Sequence, residues 1–148
     1  MKRLYIFLLP VCVFVIIFSR QGFAQRQVDP WTPQQLIEPA ALNAILHNSA
    51  APQPVILDIG PAGVIKGAIV TGPAHEKEGM VKLLQELRAL PKDKFIVIYC
   101  GCCPFSKCPN IRPAFTELMK MGFTNTRLLN LSRNLKADWI DKGYPLSQ

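Results

Sequence analysis

Four cysteines within nine consecutive residues form the densest group of reactive side chains in the chain. They are Cys100, Cys102, Cys103 and Cys108, whereas the fifth cysteine, Cys12, lies in a distant apolar segment near the N-terminus. A thiolate is both a nucleophile and a soft metal ligand. The cluster therefore points to sulfur transfer, to thiol–disulfide exchange or to metal binding.

Cys100 is distinguished from the other three by what precedes it. Residues 95–99 form an apolar run with no charged break, as expected of a strand covered on both faces of a parallel sheet. In such sheets the functional crevice lies at the carboxyl ends of the strands. Cys100 directly follows the run, which makes it the candidate nucleophile.

In the rest of the chain, short apolar runs alternate with segments whose apolar residues recur at helical spacing. Strands are predicted over 55–59, 67–70 and 126–129, and helices over 80–90, 110–122 and 134–141. A further helix is expected to begin at Thr32 and carry Leu36 and Ile37, to break at Pro39 and to restart over 40–46. Asn110 is expected to cap its helix. The fold class predicted is α/β, a mostly parallel, short-stranded sheet flanked by helices on both faces.

The N-terminus reads as a secretory signal peptide over residues 1–24. Lys2 and Arg3 precede an apolar run of about 15 residues, which is short for a membrane span of roughly 20. Small residues before Gln25 supply a cleavage site. We expect an exported protein, periplasmic or secreted, with one domain over 25–148 and no stable membrane insertion after cleavage. In such a compartment disulfides persist.

The composition argues against several function classes. Hydrophobic residues make up 49% and charged residues 18% of the chain, which suits a folded domain with a core. The formal net charge is +7, but three of the basic residues, Lys2, Arg3 and Arg20, belong to the expected leader. Basic clusters with interleaved aromatic residues are absent from the sequence, so nucleic acid is not an expected partner.

The order and spacing of several segments resemble the rhodanese-like (sulfurtransferase) domain. The resemblance covers most of the chain after the leader. It is carried by the early helix around Leu36, the strand ending in Asp58, the Ile65-Lys-Gly67-Ala68-Ile segment, the Leu90-Pro91-Lys-Asp-Lys-Phe-Ile-Val-Ile-Tyr-Cys100 run, Met121-Gly122-Phe123-Thr-Asn, and the closing stretch from Asp138-Trp139 to Gly143-Tyr-Pro145.

The resemblance implies that Cys100 is the cysteine that forms a persulfide. It implies as partners a small sulfur donor and a thiol acceptor, and no cofactor. This chain departs from the family pattern in a longer loop after Cys100, which carries the other three cysteines. It also has Val64 near the place where the family usually has a histidine.

Other residues have expected roles around Cys100. Lys107 and Arg112 are candidates to hold an anionic donor and to favour the thiolate, although Arg112 also fits a solvated helix face. Backbone N–H groups ahead of a helix would lower the pKa of the thiol in the same way. Asp58, at the end of its strand, is expected to brace a neighbouring loop, whereas His47 and His75 are expected to be solvated.

Three alternatives stay open for the cluster. Cys100 and Cys103 form a Cys-x-x-Cys pair that could exchange disulfides. Cys102 or Cys103 could instead form a disulfide with Cys108 that pins the loop and leaves Cys100 free. As a metal site the four cysteines are weak candidates, because one tight loop hardly surrounds one ion, although Cys100 with one or two others could bind Cu(I). A rhodanese-like fold can also serve as an inactive binding module.

Overall fold

The computed structural model describes residues 29–147. The expected leader and Cys12 lie outside this range. The strands are β1 (Leu36–Ile37), β2 (Val55–Asp58), β3 (Ala68–Val70), β4 (Ile96–Tyr99) and β5 (Thr126–Leu129). The helices are α1 (Pro39–His47), α2 (Lys77–Arg88), α3 (Ile111–Lys120) and α4 (Leu135–Asp138), with short 3-10 turns at Pro33–Gln35, Phe105–Lys107 and Ile140–Lys142.

The five strands form one parallel sheet in the order β1-β5-β4-β2-β3. Strand β4 is central, and all four of its residues are buried. It pairs with β2 so that Tyr99 lies beside Asp58. The α/β class and the parallel sheet are therefore confirmed, and the carboxyl ends of all strands lie along one edge.

Each face of the sheet has its own apolar core. One core joins residues such as Ile98 and Leu57 to Leu83 of α2 and Phe115 of α3. The other joins residues such as Val97 to Leu42 of α1 and to α4 with the adjacent Trp139. Alternate residues of β4 therefore supply both cores, which explains its unbroken apolar run. Helices on both faces, as predicted, hold β4 in a fixed position.

The predicted helix around Leu36 is wrong. The helical part is limited to a short 3-10 turn at Pro33–Gln35. Leu36 and Ile37 form β1, which pairs with Leu128 and Leu129 of β5. Two apolar residues are too few to distinguish a helix from an edge strand. Pro39 opens α1 instead of interrupting a helix, because the first helical position needs no N–H donor. The sheet thus has five strands, one more than predicted.

Across residues 29–147, no helix combines the length and the apolar character that crossing a membrane requires.

Candidate active site

Cys100 is the first residue after β4, and only 2% of it is exposed. The loop that follows turns at once, because Cys102 N–H donates to the carbonyl of Cys100 at 2.7 Å. Gly101 at the centre of this turn has φ +67°, a conformation that favours glycine. Its carbonyl accepts from Leu135 N–H at 2.8 Å, which ties the loop to the start of α4.

The sulfur of Cys100 contacts one amide and the sulfur of Cys102, and the sulfur of Cys108 lies nearby. Asn110 Nδ2 donates to Cys100 Sγ at 3.1 Å, and Cys102 Sγ lies 3.4 Å away. The Sγ atoms of Cys100, Cys102 and Cys108 all lie within 4.8 Å of one another. Cys108 is as buried as Cys100, whereas Cys102 is exposed. One side of the sulfur group is therefore enclosed and the other faces solvent.

Asn110 does not cap α3, contrary to the prediction. Its side chain makes no cap hydrogen bond, and its Oδ1 accepts from the His75 backbone N–H at 2.9 Å and contacts His75 Nδ1 at 2.6 Å. Because an amide oxygen only accepts, these contacts orient Nδ2 toward Cys100. His75 is therefore more than a solvated residue, although 48% of its side chain is exposed.

These surroundings favour the thiolate form of Cys100. They lower its pKa to about 5, chiefly through the hydrogen bond from the Cys108 thiol, with smaller contributions from Asn110 and Cys102. Burial acts in the opposite direction but does not prevail. The positive end of α3, ten residues long and beginning at Ile111, favours an anion in the same place.

The acidic groups next to this thiolate all have raised pKa values. Burial raises the pKa of Cys102 to about 12, with the sulfur of Cys100 adding to the effect. The pKa of Cys108 is also raised, first by its hydrogen bond to Cys100 and then by burial. Burial raises the pKa of Asp58 to about 7, and the nearby charge of Cys100 raises it further. Between pH about 5 and pH about 7, one thiolate at Cys100 among protonated neighbours is thus the favoured state.

A pH titration of the thiolate tests this assignment. We expect the ultraviolet absorbance of the thiolate to fall as the pH drops through about 5, and the same step to be missing in Cys100→Ser. Cys103→Ser is the control and should keep the step. A midpoint near the ordinary thiol pKa of about 8.5 would contradict the assignment.

Asp58 holds the loop after β2. Its Oδ1 accepts from Gly60 N–H at 3.0 Å, and the Thr71 hydroxyl donates to its carbonyl at 3.0 Å. Next to it, Tyr99 Oη accepts from Ile65 N–H at 3.0 Å. These bonds fix the backbone that passes beside Cys100.

Gly60 packs tightly against Cys100. A Cβ at position 60 would lie 2.5 Å from Cys100 Sγ and 3.0 Å from its Cα. We expect Gly60→Ala to displace the sulfur, to lower the free energy of unfolding by about 1–3 kcal/mol and to change the rate of Cys100 alkylation. Thermal unfolding and alkylation kinetics measure the two effects.

Gly63→Ala is the matched control for that substitution. A Cβ there would meet only Leu135 Cδ2, at an ordinary 3.8 Å. Equal melting temperatures and equal alkylation rates in the two variants would show that the contact at Gly60 does not constrain the sulfur.

Neither of the two basic candidates, Lys107 and Arg112, makes a hydrogen bond to the sulfur of Cys100 within the described residues. Arg112 pairs with Asp29, donates to the Ser106 carbonyl at 3.0 Å and lies over the ring of Trp31. Its guanidinium therefore binds the segment before β1 and makes no hydrogen bond to Cys100, so a role in holding an anionic donor stays a prediction. Lys107 ends a 3-10 turn with an exposed side chain, and its ammonium makes no hydrogen bond or ion pair within residues 29–147.

Neither cysteine pairing considered from the sequence is formed in the described residues. All four cysteines of that range are free, so a disulfide to Cys108 stays a prediction. Cys103 is outside the group of three sulfurs and contacts Cys102 Sγ at 3.4 Å. The thiol that contacts Cys100 is therefore that of Cys102 and not that of Cys103. Spacing alone could not reveal this, because the tight turn at Gly101 decides it.

Comparison with known proteins finds likeness in structure only. No family model and no curated protein matches the chain. Two solved structures of EanB with hercynine, a cysteine-to-serine and a threonine-to-alanine variant, each give a TM-score of 0.55 and 18% identity over 77% of this chain. The chain spans only about a quarter of EanB, 27% and 28% of the two chains. At this identity the likeness establishes the α/β fold.

Proposed function

We propose that this chain is a rhodanese-like sulfurtransferase that carries sulfane sulfur as a persulfide on Cys100. The observation that supports it most is the enclosed sulfur of Cys100 at the carboxyl end of β4, with Asn110 Nδ2 donating to it at 3.1 Å. A nucleophilic thiolate needs a lowered pKa, and the surroundings of Cys100 lower its pKa to about 5. The likeness to EanB adds support for the fold.

The proposed reaction has two displacements. The Cys100 thiolate attacks the outer sulfur of thiosulfate, a sulfur–sulfur bond forms, the bond inside thiosulfate breaks, and sulfite leaves with its electron pair. An acceptor such as cyanide or a thiolate then attacks the outer sulfur of the persulfide. Cys100 leaves as the thiolate, so the enzyme returns to its starting state without net oxidation.

The residues around Cys100 suit the anionic intermediate. The outer sulfur of a persulfide carries the negative charge that the thiolate held before. Asn110 and the start of α3 stabilise negative charge here. The protonated thiol of Cys102, 3.4 Å away on the exposed side, marks the direction from which donor and acceptor approach.

We also propose that the protein acts outside the cytosol, as a periplasmic or secreted protein. The support is the leader-like sequence over residues 1–24, outside the described range. A small sulfur donor and a thiol acceptor are its proposed partners.

The test of the activity is production of thiocyanate from thiosulfate and cyanide by the purified, reduced protein. Turnover that rises with enzyme concentration and saturates with thiosulfate supports the proposal. A rate equal to that without protein, for thiosulfate and for a small-molecule persulfide donor alike, refutes it.

Thiol–disulfide exchange is a second candidate, favoured by the 3.4 Å contact between Cys100 and Cys102. Equilibration with glutathione buffers of graded potential, followed by peptide mass spectrometry, distinguishes it. A disulfide between Cys100 and Cys102 at mildly oxidising potentials supports redox exchange. If the cysteines of the loop stay reduced at those potentials, thiol–disulfide exchange is excluded and sulfur transfer remains as the proposed function.

A further inference from the structure

The three sulfurs that meet at the sheet edge form a group that sulfur transfer does not require. A persulfide needs one nucleophilic thiol, yet Cys100, Cys102 and Cys108 lie with all Sγ atoms within 4.8 Å of one another. They come from both ends of the loop, since Cys102 is two residues after Cys100 and Cys108 directly follows the 3-10 turn Phe105–Lys107 before α3. The loop therefore folds back, so that the sulfur of Cys108 lies beside the sulfurs of Cys100 and Cys102.

We propose that Cys100, Cys102 and Cys108 form a binding site for one Cu(I) ion, with three thiolates as its ligands. This binding function goes beyond sulfur transfer and does not depend on it.

The distances suit an ion at the centre of the group. A metal–thiolate bond is about 2.3 Å long, so three thiolates around one ion lie about 4 Å from each other. The Sγ atoms of Cys100 and Cys102 lie 3.4 Å apart, and every pair in the group lies within 4.8 Å. The group is therefore close to the size that one ion requires.

The set of donors favours Cu(I) over Zn²⁺. Soft thiolates select both ions, but Zn²⁺ takes four ligands in closed sites. Within residues 29–147 no histidine or carboxylate joins these three cysteines as a fourth ligand. Cu(I) is satisfied by fewer ligands, so three sulfurs alone make a complete site for it.

Access and charge fit the same ion. Cys100 and Cys108 are buried, whereas Cys102 is exposed and provides the route of entry. On binding, the ion replaces the thiol protons, which leave to solvent. The Asn110 amide and the start of α3 lie beside the group and stabilise its net negative charge.

Cu(I) competition with the chelator bicinchoninate, under anaerobic conditions, tests the proposal on the purified reduced protein. We expect one Cu(I) per chain and three sulfur neighbours of copper by X-ray absorption. Cys102→Ser should weaken binding by more than about tenfold, because even partners that only support a metal ligand contribute about 10–100-fold. Cys108→Ser should do the same, with thermal unfolding to show that the buried substitution leaves the fold intact.

Cys103→Ser is the matched control, one residue from Cys102 in the same loop. It should bind Cu(I) as tightly as the unchanged protein, because Cys103 lies outside the group. Equal weakening in Cys102→Ser and Cys103→Ser, more than one copper per chain, or no Cu(I) held against the chelator would each overturn the site. None of these results bears on whether Cys100 accepts sulfur from thiosulfate, so the two proposals fail separately.

Discussion

Replacement of Cys100 by serine should lower thiosulfate-dependent thiocyanate production by at least about 10³-fold, since removing an enzyme's nucleophile costs that much or more. A serine hydroxyl is of similar size but does not ionise near neutral pH. It therefore forms no persulfide, even though the site keeps its shape. Steady-state rates at saturating thiosulfate measure the loss.

Cys103→Ser shows whether that loss is specific to position 100. Cys103 is in the same loop but touches Cys102 and not the group around Cys100. We expect its rate to stay within about twofold, because substitutions away from the reacting groups usually have small effects. Comparable losses in both variants would mean that the reaction does not depend on a single nucleophile at position 100.

Replacement of Asn110 should have the next largest effect, through the pKa of Cys100. Asn110→Asp keeps the shape but replaces the donor at 3.1 Å with an acceptor that carries charge. A hydrogen bond to an ion contributes about 1.5–3 kcal/mol. We therefore expect the Cys100 pKa to rise by about one to two units from its value of about 5.

The direction of the pH effect follows from that shift. The reactive form is the thiolate, so its fraction falls when the pH drops below the pKa. In Asn110→Asp the acidic limb of the rate profile should move to higher pH, so the rate at pH about 6 falls by about two- to tenfold and recovers at alkaline pH. Thiolate absorbance and rate, measured over the same pH range, should shift together.

His75→Ala separates the amide's charge effect from its orientation. His75 contacts the oxygen of Asn110, while the nitrogen remains free to donate to Cys100. The backbone N–H at position 75 still holds that oxygen, so we expect a smaller shift than in Asn110→Asp. A profile that does not move in Asn110→Asp would remove Asn110 from the account of the thiolate.

The sequence allowed the central part of the fold to be predicted for a physical reason. A strand buried on both faces must be apolar throughout, and residues 95–99 satisfy this, so β4 and the place of Cys100 after it could be derived. The short edge strand β1 could not be predicted in this way. Leu36 and Ile37 form a strand only because Leu128 and Leu129 lie beside them, and that contact joins distant parts of the chain.

The same limit applies to the surroundings of Cys100. Asn110 has the residue type and place of a helix cap, yet it binds His75, which is 35 positions earlier. Arg112 does not bind the sulfur of Cys100, because its guanidinium pairs with Asp29 and lies over the ring of Trp31, both in the segment before β1. The sequence supplied a residue type and a position on an element in each case. The partner depends on tertiary packing, which spacing along the chain does not encode.

The most direct test of persulfide transfer is to locate the transferred sulfur. Reduced protein is incubated with thiosulfate, and mass spectrometry of the intact chain and of its peptides counts added sulfur atoms and assigns them. The account predicts one added sulfur atom, carried by Cys100, lost on addition of cyanide and missing in Cys100→Ser. An unchanged mass, or an added sulfur carried by Cys103 in protein that retains Cys100, would contradict it.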